Sequence, residues 1–228
     1  MLNRKKHRKV IFEIIREIYS GPVGAWLGFK GGTMLYFFYG LDRFSVDLDF
    51  DLLNLSKAKE VFNETEKILK QYGKLEDKMD KNFTLLFELR YEVGMQSVKV
   101  EINKRVSPKN NYEMKNFYGT AVKALKIEDS FAHKLIASTN RKAVANRDFY
   151  DIWFLFKNGF FPNEEIIKDY TGKSAKDYCS ELKKFVEDNF SSNPLAGLGE
   201  LIEPDRKEWV KRSLKAELLA QIDFYINN

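Results

Sequence analysis

Between Ser45 and Asp51 the chain alternates strictly, with Val46, Leu48 and Phe50 on one side and Asp47, Asp49 and Asp51 on the other. A period of two is strand geometry, whereas a helix would scatter these apolar side chains around its axis. The segment is therefore predicted to be a strand with one face on a core. Its other face lines up carboxylates, and like charges at that spacing cost stability unless a cation or solvent neutralises them. A plain solvent-facing strand carries the same Asp-x-Asp pattern, so other residues have to decide between the two.

Residues 97–103 repeat the alternation, with Val98, Val100 and Ile102 on one face and Lys99, Glu101 and Asn103 on the other. If the two strands are neighbours, Glu101 adds a third carboxylate to Asp47 and Asp49, a set able to hold one or two Mg²⁺ ions. Upstream, Gly31-Gly32-Thr33 opens a predicted short helix. Glycines there let backbone N–H groups approach phosphate oxygens at a positive helix end, and the Thr33 hydroxyl can cap that end or add a donor. Lys30 precedes the glycines and no Gly-Lys-Ser/Thr follows, so this is not a Walker A loop. A double glycine alone also suits an ordinary turn. Phosphate cradle and carboxylate row together point to nucleotidyl transfer.

Hydrophobic periodicity predicts helices over 5–20, 34–39 and 56–72, and strands over 82–91 and 97–103. From about residue 120 the pattern becomes helical: Glu128 to about Thr139, Asn146 to Lys157, a helix capped by Asn163, another opened by the Ser174/Asp177 capping box, and a terminal helix through Trp209, Leu214, Leu218, Ile222 and Tyr225. An α/β half, residues 1–120, thus precedes a helical half, residues 121–228, with no repeat and no low-complexity linker between them. The two are expected to pack as one unit.

Composition narrows the chemistry. At 228 residues and 44% hydrophobic, the chain can bury a real core. No apolar run approaches the roughly 20 residues that span a bilayer, which predicts a cytoplasmic protein with no membrane partner. Cys179 is the one cysteine, and with only His7 and His133 beside it any metal must be oxygen-bound. A net charge of +5 and a pI near 9.0 favour a polyanionic partner. The densest cluster, Arg4-Lys5-Lys6-His7-Arg8-Lys9, reads either as a phosphate-contacting arm or as a solvated helix start.

A further cluster, Lys134, Arg141, Arg147, Asp148 and Asp151, sits on the helices of the second half, where Arg147 and Asp151 are spaced to pair. Such cations could offset charge on a polyphosphate, or form ordinary surface salt bridges. The combined pattern is Phe29-Lys30-Gly31-Gly32-Thr33, Arg43-Phe44-Ser45-Val46-Asp47-Leu48-Asp49-Phe50, Val100-Glu101-Ile102, Lys134-Leu135 and Arg147-Asp148-Phe149-Tyr150-Asp151-Ile152-Trp153. In order and spacing it resembles the AbiEii family of nucleotidyltransferase toxins, within the DNA polymerase beta nucleotidyltransferase superfamily.

The resemblance implies an α+β fold, a minimal nucleotidyltransferase mixed sheet with flanking helices followed by a C-terminal helical region. It implies a toxin of a toxin–antitoxin or abortive-infection system that uses NTP and Mg²⁺ to modify RNA, the tRNA 3′ end above all, with a cognate AbiEi-like antitoxin. Carried over by motif, Asp47 and Asp49 bind metal, with Glu101 as further ligand or base. Gly31, Gly32, Thr33, Arg43 and Ser45 hold nucleotide phosphates, while Lys134 and Asp151 match later motifs where the lysine meets the nucleotide. The gap from Gly32 to Asp47 is slightly longer than the superfamily's usual spacing, and its third acid is Glu rather than Asp. The rival readings are a small-molecule transferase of the aminoglycoside-modifying kind, whose acceptor pocket would be acidic, a non-catalytic RNA-binding module, and a hydrolytic nuclease that needs no NTP.

Overall fold

The computed structural model describes residues 2–140 and 145–228; Arg141 of the cationic cluster lies outside them. The chain divides into two compact units, Met1–Gly40 with Phe44–Leu125, and Leu41–Arg43 with Lys126–Asn228. The second unit thus begins at Lys126 rather than 121, because Thr120–Leu125 is still a strand of the first, and it also takes three residues from the loop before Phe44.

The first unit is a seven-stranded mixed sheet with helices α1 (Arg4–Ser20), α2 (Gly31–Phe38) and α3 (Ala58–Lys70). Its strands are β1 (Leu27–Lys30), β2 (Leu48–Leu52), β3 (Lys74–Asp80), β4 (Thr84–Arg90), β5 (Val98–Asn103), β6 (Tyr112–Phe117) and β7 (Thr120–Leu125), in the order β3-β4-β5-β2-β1-β7-β6. β1 and β2 are antiparallel, while β2 pairs parallel with β5 and β1 parallel with β7. Parallel pairs sit at the centre, where both faces are covered. That accounts for β1, which periodicity missed: Leu27, Gly28 and Phe29 are all buried, so the strand shows no alternation. β3 was missed for the opposite reason, since its Lys74-Leu-Glu-Asp-Lys-Met-Asp80 sequence is a mostly exposed, charged edge.

α1 starts at Asn3, whose side chain accepts from the Lys6 amide at 3.1 Å, and buries Ile11, Ile14, Ile15 and Ile18 along one stripe. β6 and β7 join through Tyr118-Gly119 at φ of 50° and 89°, a two-residue hairpin turn in which Asn and Gly are the favoured residues. Gly28 is needed for a different reason. A Cβ there would lie 2.2 Å from the Tyr112 ring, which crosses β1 to bring its hydroxyl 2.8 Å from Asp51.

The second unit is helical: α4 (Ile127–Asn140), α5 (Asn146–Lys157), α6 (Glu164–Thr171), α7 (Ala175–Asn189) and α8 (Arg206–Asn227). α5 is buried along nearly its whole length, the mark of a central helix. Its Trp153 packs at a tilt against Trp209 of α8 with centroids 4.4 Å apart, and both indole N–H groups donate to Glu217, at 3.1 and 2.9 Å. The anticipated caps are present, Asn163 accepting from Glu165 and Ile166 and Ser174 from Asp177.

Replacing Gly28 by Ala should force the Tyr112 ring aside and cost about 1–3 kcal/mol, by overpacking a full core. Urea unfolding would measure it, and an unchanged midpoint would mean that the ring does not lie across Gly28.

Candidate active site

The register of three strands builds the site. Lys30 stands opposite Asp49 across the β1–β2 ladder, and Asp49 stands beside Glu101 across the parallel β2–β5 ladder. Neighbouring strands lie about 4.8 Å apart, so the three side chains form a row on one sheet face. Glu101 is the neighbour that alternation anticipated, and it pairs with Lys99 at 3.1 Å.

The chain turns from β1 into α2 at this row. Gly31 has φ of 80°, a left-handed conformation that favours glycine, and a Cβ there would sit 2.2 Å from Asp49 Oδ2. The start of α2 and the Asp49 carboxylate therefore share one small space that no side chain could enter. Helix N-termini attract anions through unpaired N–H groups, so phosphate oxygens suit one side of this space and cations the other.

Asp47 precedes the first β2 residue, and side chains hold the peptide groups on either side of it. Thr33 Oγ1 donates to the Asp47 carbonyl and is hydrogen-bonded to Ser45 Oγ at 3.0 Å. His7 Nε2 donates to the Val46 carbonyl at 2.9 Å, and its Nδ1 accepts from the Tyr91 hydroxyl at 3.0 Å. A carbonyl only accepts, so the proton is on Nε2. Burial lowers the His7 pKa and favours this neutral form. Thr33 and Ser45, the residues anticipated at the phosphates, are both buried and turned toward each other, and the Thr33 hydroxyl holds the Asp47 carbonyl. Asp47 lines an open cleft of about 440 Å³ with Glu88, Gln96, Ser97 and Lys99.

Asp51 departs from the row. It is fully buried and receives Lys30 Nζ at 2.6 Å, the Tyr112 hydroxyl at 2.8 Å and Asn110 Nδ2 at 3.2 Å. This carboxylate is an anchor that aims Lys30. Among the described residues no group of three or more His, Cys, Asp and Glu side chains is gathered to hold a metal. Asp49 and Glu101 are ladder neighbours, and Asp47, two residues before Asp49 on the same side of the alternation, lines the adjoining cleft.

A model of the family described as nucleotidyl transferase AbiEii toxin, type IV TA system, matches residues 24–227. The chain belongs to the AbiEii nucleotidyltransferase toxin family. Its fold is also that of JHP933 from Helicobacter pylori, at TM-score 0.66 and 23% identity over 100% of this chain and 94% of that one. A putative nucleotidyltransferase from H. pylori aligns at TM-score 0.67 and 25% identity, over 98% of this chain and 95% of that one. No curated protein matches the chain. As a type IV toxin–antitoxin family, AbiEii implies a cognate antitoxin. No described helix is long and apolar enough to cross a membrane. α1, with His7, precedes the residues that the AbiEii model matches.

The family's later motifs lie in the second unit, where they form a buried ion network. Asp151 is fully buried; its Oδ1 takes Arg43 Nε at 2.6 Å, and its Oδ2 takes Arg43 Nη2 at 2.7 Å and Lys134 Nζ at 2.5 Å. Lys134 also lies 3.8 Å from Asp148. Asp151 thus pairs with Arg43 and Lys134, not with Arg147 at helical spacing. The side chains of Arg43 and Asp151, named above as nucleotide contacts, are 4% and 0% exposed and pair with each other. Asp42 makes a second tie, accepting from the Tyr150 hydroxyl at 2.8 Å and pairing with Arg206, so the Leu41–Arg43 segment belongs to this unit. No sequence signal marked His7 or the Asp51 anchor, since a lone buried histidine and a third strand aspartate look ordinary.

Burial would raise the Asp151 carboxyl, but Arg43 and Lys134 outweigh it and hold its pKa below the usual value. A depressed folded pKa gives stability that is present above the unfolded value, near 3.9, and is lost as pH falls through the folded one. Asp151→Asn should therefore cost about 3–5 kcal/mol at neutral pH by leaving buried cations unpaired. Thermal melts from pH 7 to 3 should show that deficit shrinking below about pH 4; a constant deficit would mean the ion pairs are not its source. His7→Leu leaves the Val46 carbonyl without its donor and should lower stability by about 1–3 kcal/mol in chemical denaturation. A loss below about 0.5 kcal/mol would mean the imidazole does not hold this loop.

Proposed function

We propose that this AbiEii-family chain transfers a nucleoside monophosphate from an NTP to a hydroxyl of RNA, with the tRNA 3′ end as acceptor, and that growth arrest follows from this reaction. The observation that carries the reading is the Lys30–Asp49–Glu101 row meeting the glycine start of α2. A site for this reaction needs donors for a triphosphate and carboxylates for a cation within the same few ångströms, and this corner of the sheet offers both.

The donor set fits Mg²⁺. That ion is typically held by one or two carboxylates and completes its shell with water and substrate phosphate oxygens, so it needs no closed protein cage. Asp47 and Asp49 would hold it, and it would supply neutralisation of the triphosphate and polarisation of the α-phosphate. The amides of Gly31 and Gly32 would bind the β- and γ-phosphates, with the Lys30 ammonium beside them. Glu101 would accept the proton of the RNA hydroxyl as its oxygen attacks the α-phosphorus. The bond to the bridging oxygen then breaks, and pyrophosphate leaves. Thr33 and His7 act through Asp47 by fixing the peptide groups around it.

The test is to incubate the protein with Mg²⁺, total tRNA and each α-labelled NTP in turn. Label should pass to RNA, and Asp49→Asn should slow transfer roughly a hundredfold or more while leaving the melting curve intact. Asp47→Ala should also relieve growth arrest on expression. Near-parental transfer by Asp49→Asn would falsify the ligand assignment, and equal toxicity of Asp47→Ala would separate the toxicity from catalysis.

A further inference from the structure

We infer that the outer face of α1, with the Tyr118-Gly119 hairpin tip, is a docking surface for single-stranded RNA. The inference rests on the proposed RNA acceptor and says where that RNA is held. Two features that are hard to explain by folding alone meet on this surface.

The first is Tyr118. The ring is 68% exposed, yet the residue sits at φ of 50°, in a turn position that asparagine or glycine fills at lower cost. Its neighbour Gly119 already donates to Asn116 Oδ1 at 2.9 Å, so the hairpin closes without any help from the ring. The ring instead stands against Phe12 of α1, with centroids 5.1 Å apart, and against Phe117, at 5.4 Å. An exposed aromatic kept in an unfavourable conformation suits stacking on a base, because every nucleobase has a flat face.

The second is the charge pattern of α1. At 3.6 residues per turn, Arg8, Phe12, Lys5, Arg16 and Lys9 fall within an arc of roughly 100°. Glu13 and Glu17 fall outside that arc. Within it, the Arg8 guanidinium lies 5.9 Å from the Phe37 ring and that of Arg16 lies 5.9 Å from the Phe12 ring. No acidic residue stands in the first turn of α1, so its cations run against the helix dipole, with Lys6 held by Glu92 at 2.6 Å. Cations interleaved with aromatic rings match a strand of phosphates and bases, and an apolar protein partner would leave these cations unpaired. The same helix carries His7, bonded to the carbonyl before Asp47, on its opposite, buried face.

The test is binding of a 5′-labelled single-stranded RNA of mixed sequence to the full chain, by fluorescence anisotropy without NTP. Tyr118→Asn is the central variant, because it restores the favoured Asn-Gly turn while deleting the ring. It should melt at or above the parental temperature and bind RNA at least about fivefold more weakly. Arg8→Gln with Arg16→Gln should weaken binding further and flatten its salt dependence. Parental affinity in Tyr118→Asn, or no RNA binding by the parent chain, would overturn the surface. If the RNA binds and depends on Tyr118 but receives no nucleotide, the surface stands and the transfer reading falls. If labelled nucleotide reaches RNA with the same KM in the parent and in Tyr118→Asn, the transfer reading stands and the surface falls.

Discussion

Hydrogen bonding along the centre of the sheet forces charges together that would otherwise separate. The β1–β2 and β2–β5 ladders set Lys30, Asp49 and Glu101 in one row, and main-chain bonds rather than side-chain attraction keep them there. Two carboxylates at one strand spacing repel each other. The site offsets this with Lys99 beside Glu101 and with an open side toward solvent. Slipping β2 by one residue would send Asp49 into the core and Phe50 into water, so the apolar face of the strand guards the position of the acids.

Around that row, other residues work as supports. Asp51 has the same spacing as Asp49 but a different environment. Tyr112 crosses over Gly28 to meet it, Asn110 adds a further bond, and the buried carboxylate becomes the fixed point for the Lys30 ammonium. Gly31 leaves room for Asp49, and Thr33 and His7 hold the backbone on both sides of Asp47. Positioning of this kind matters because a nucleotidyl transfer site works mainly by orientation and electrostatics. In the second unit the same economy is seen at Asp151, where burial is tolerated only because Arg43 and Lys134 satisfy both oxygens.

Much of this was legible beforehand. Strict alternation marked β2 and β5 and put Asp49 and Glu101 on like faces, and the caps at Asn163 and Ser174 were readable from residue type. What could not be read was which polar residues turn inward. Arg43, Ser45, Thr33 and Asp151 carry the residue types of phosphate and nucleotide contacts, and each is buried against a protein partner. Strand β1 hid its identity because a strand covered on both faces has no period, and β3 because a charged edge has little apolar signal.

By itself, then, the sequence determined the local conformations and the inventory of chemical groups: a strand with acids on one face, a glycine start to a helix, and an α/β half followed by helices. Periodicity and capping act over a few residues, so they survive in a one-dimensional reading. Only the tertiary structure decided which acid faces solvent and which is entombed, that Lys30 belongs to Asp51, and that Arg43 closes on Asp151 across 108 residues of chain. Those outcomes depend on strand order, register and burial, and desolvation gives the same carboxylate opposite roles in the two surroundings.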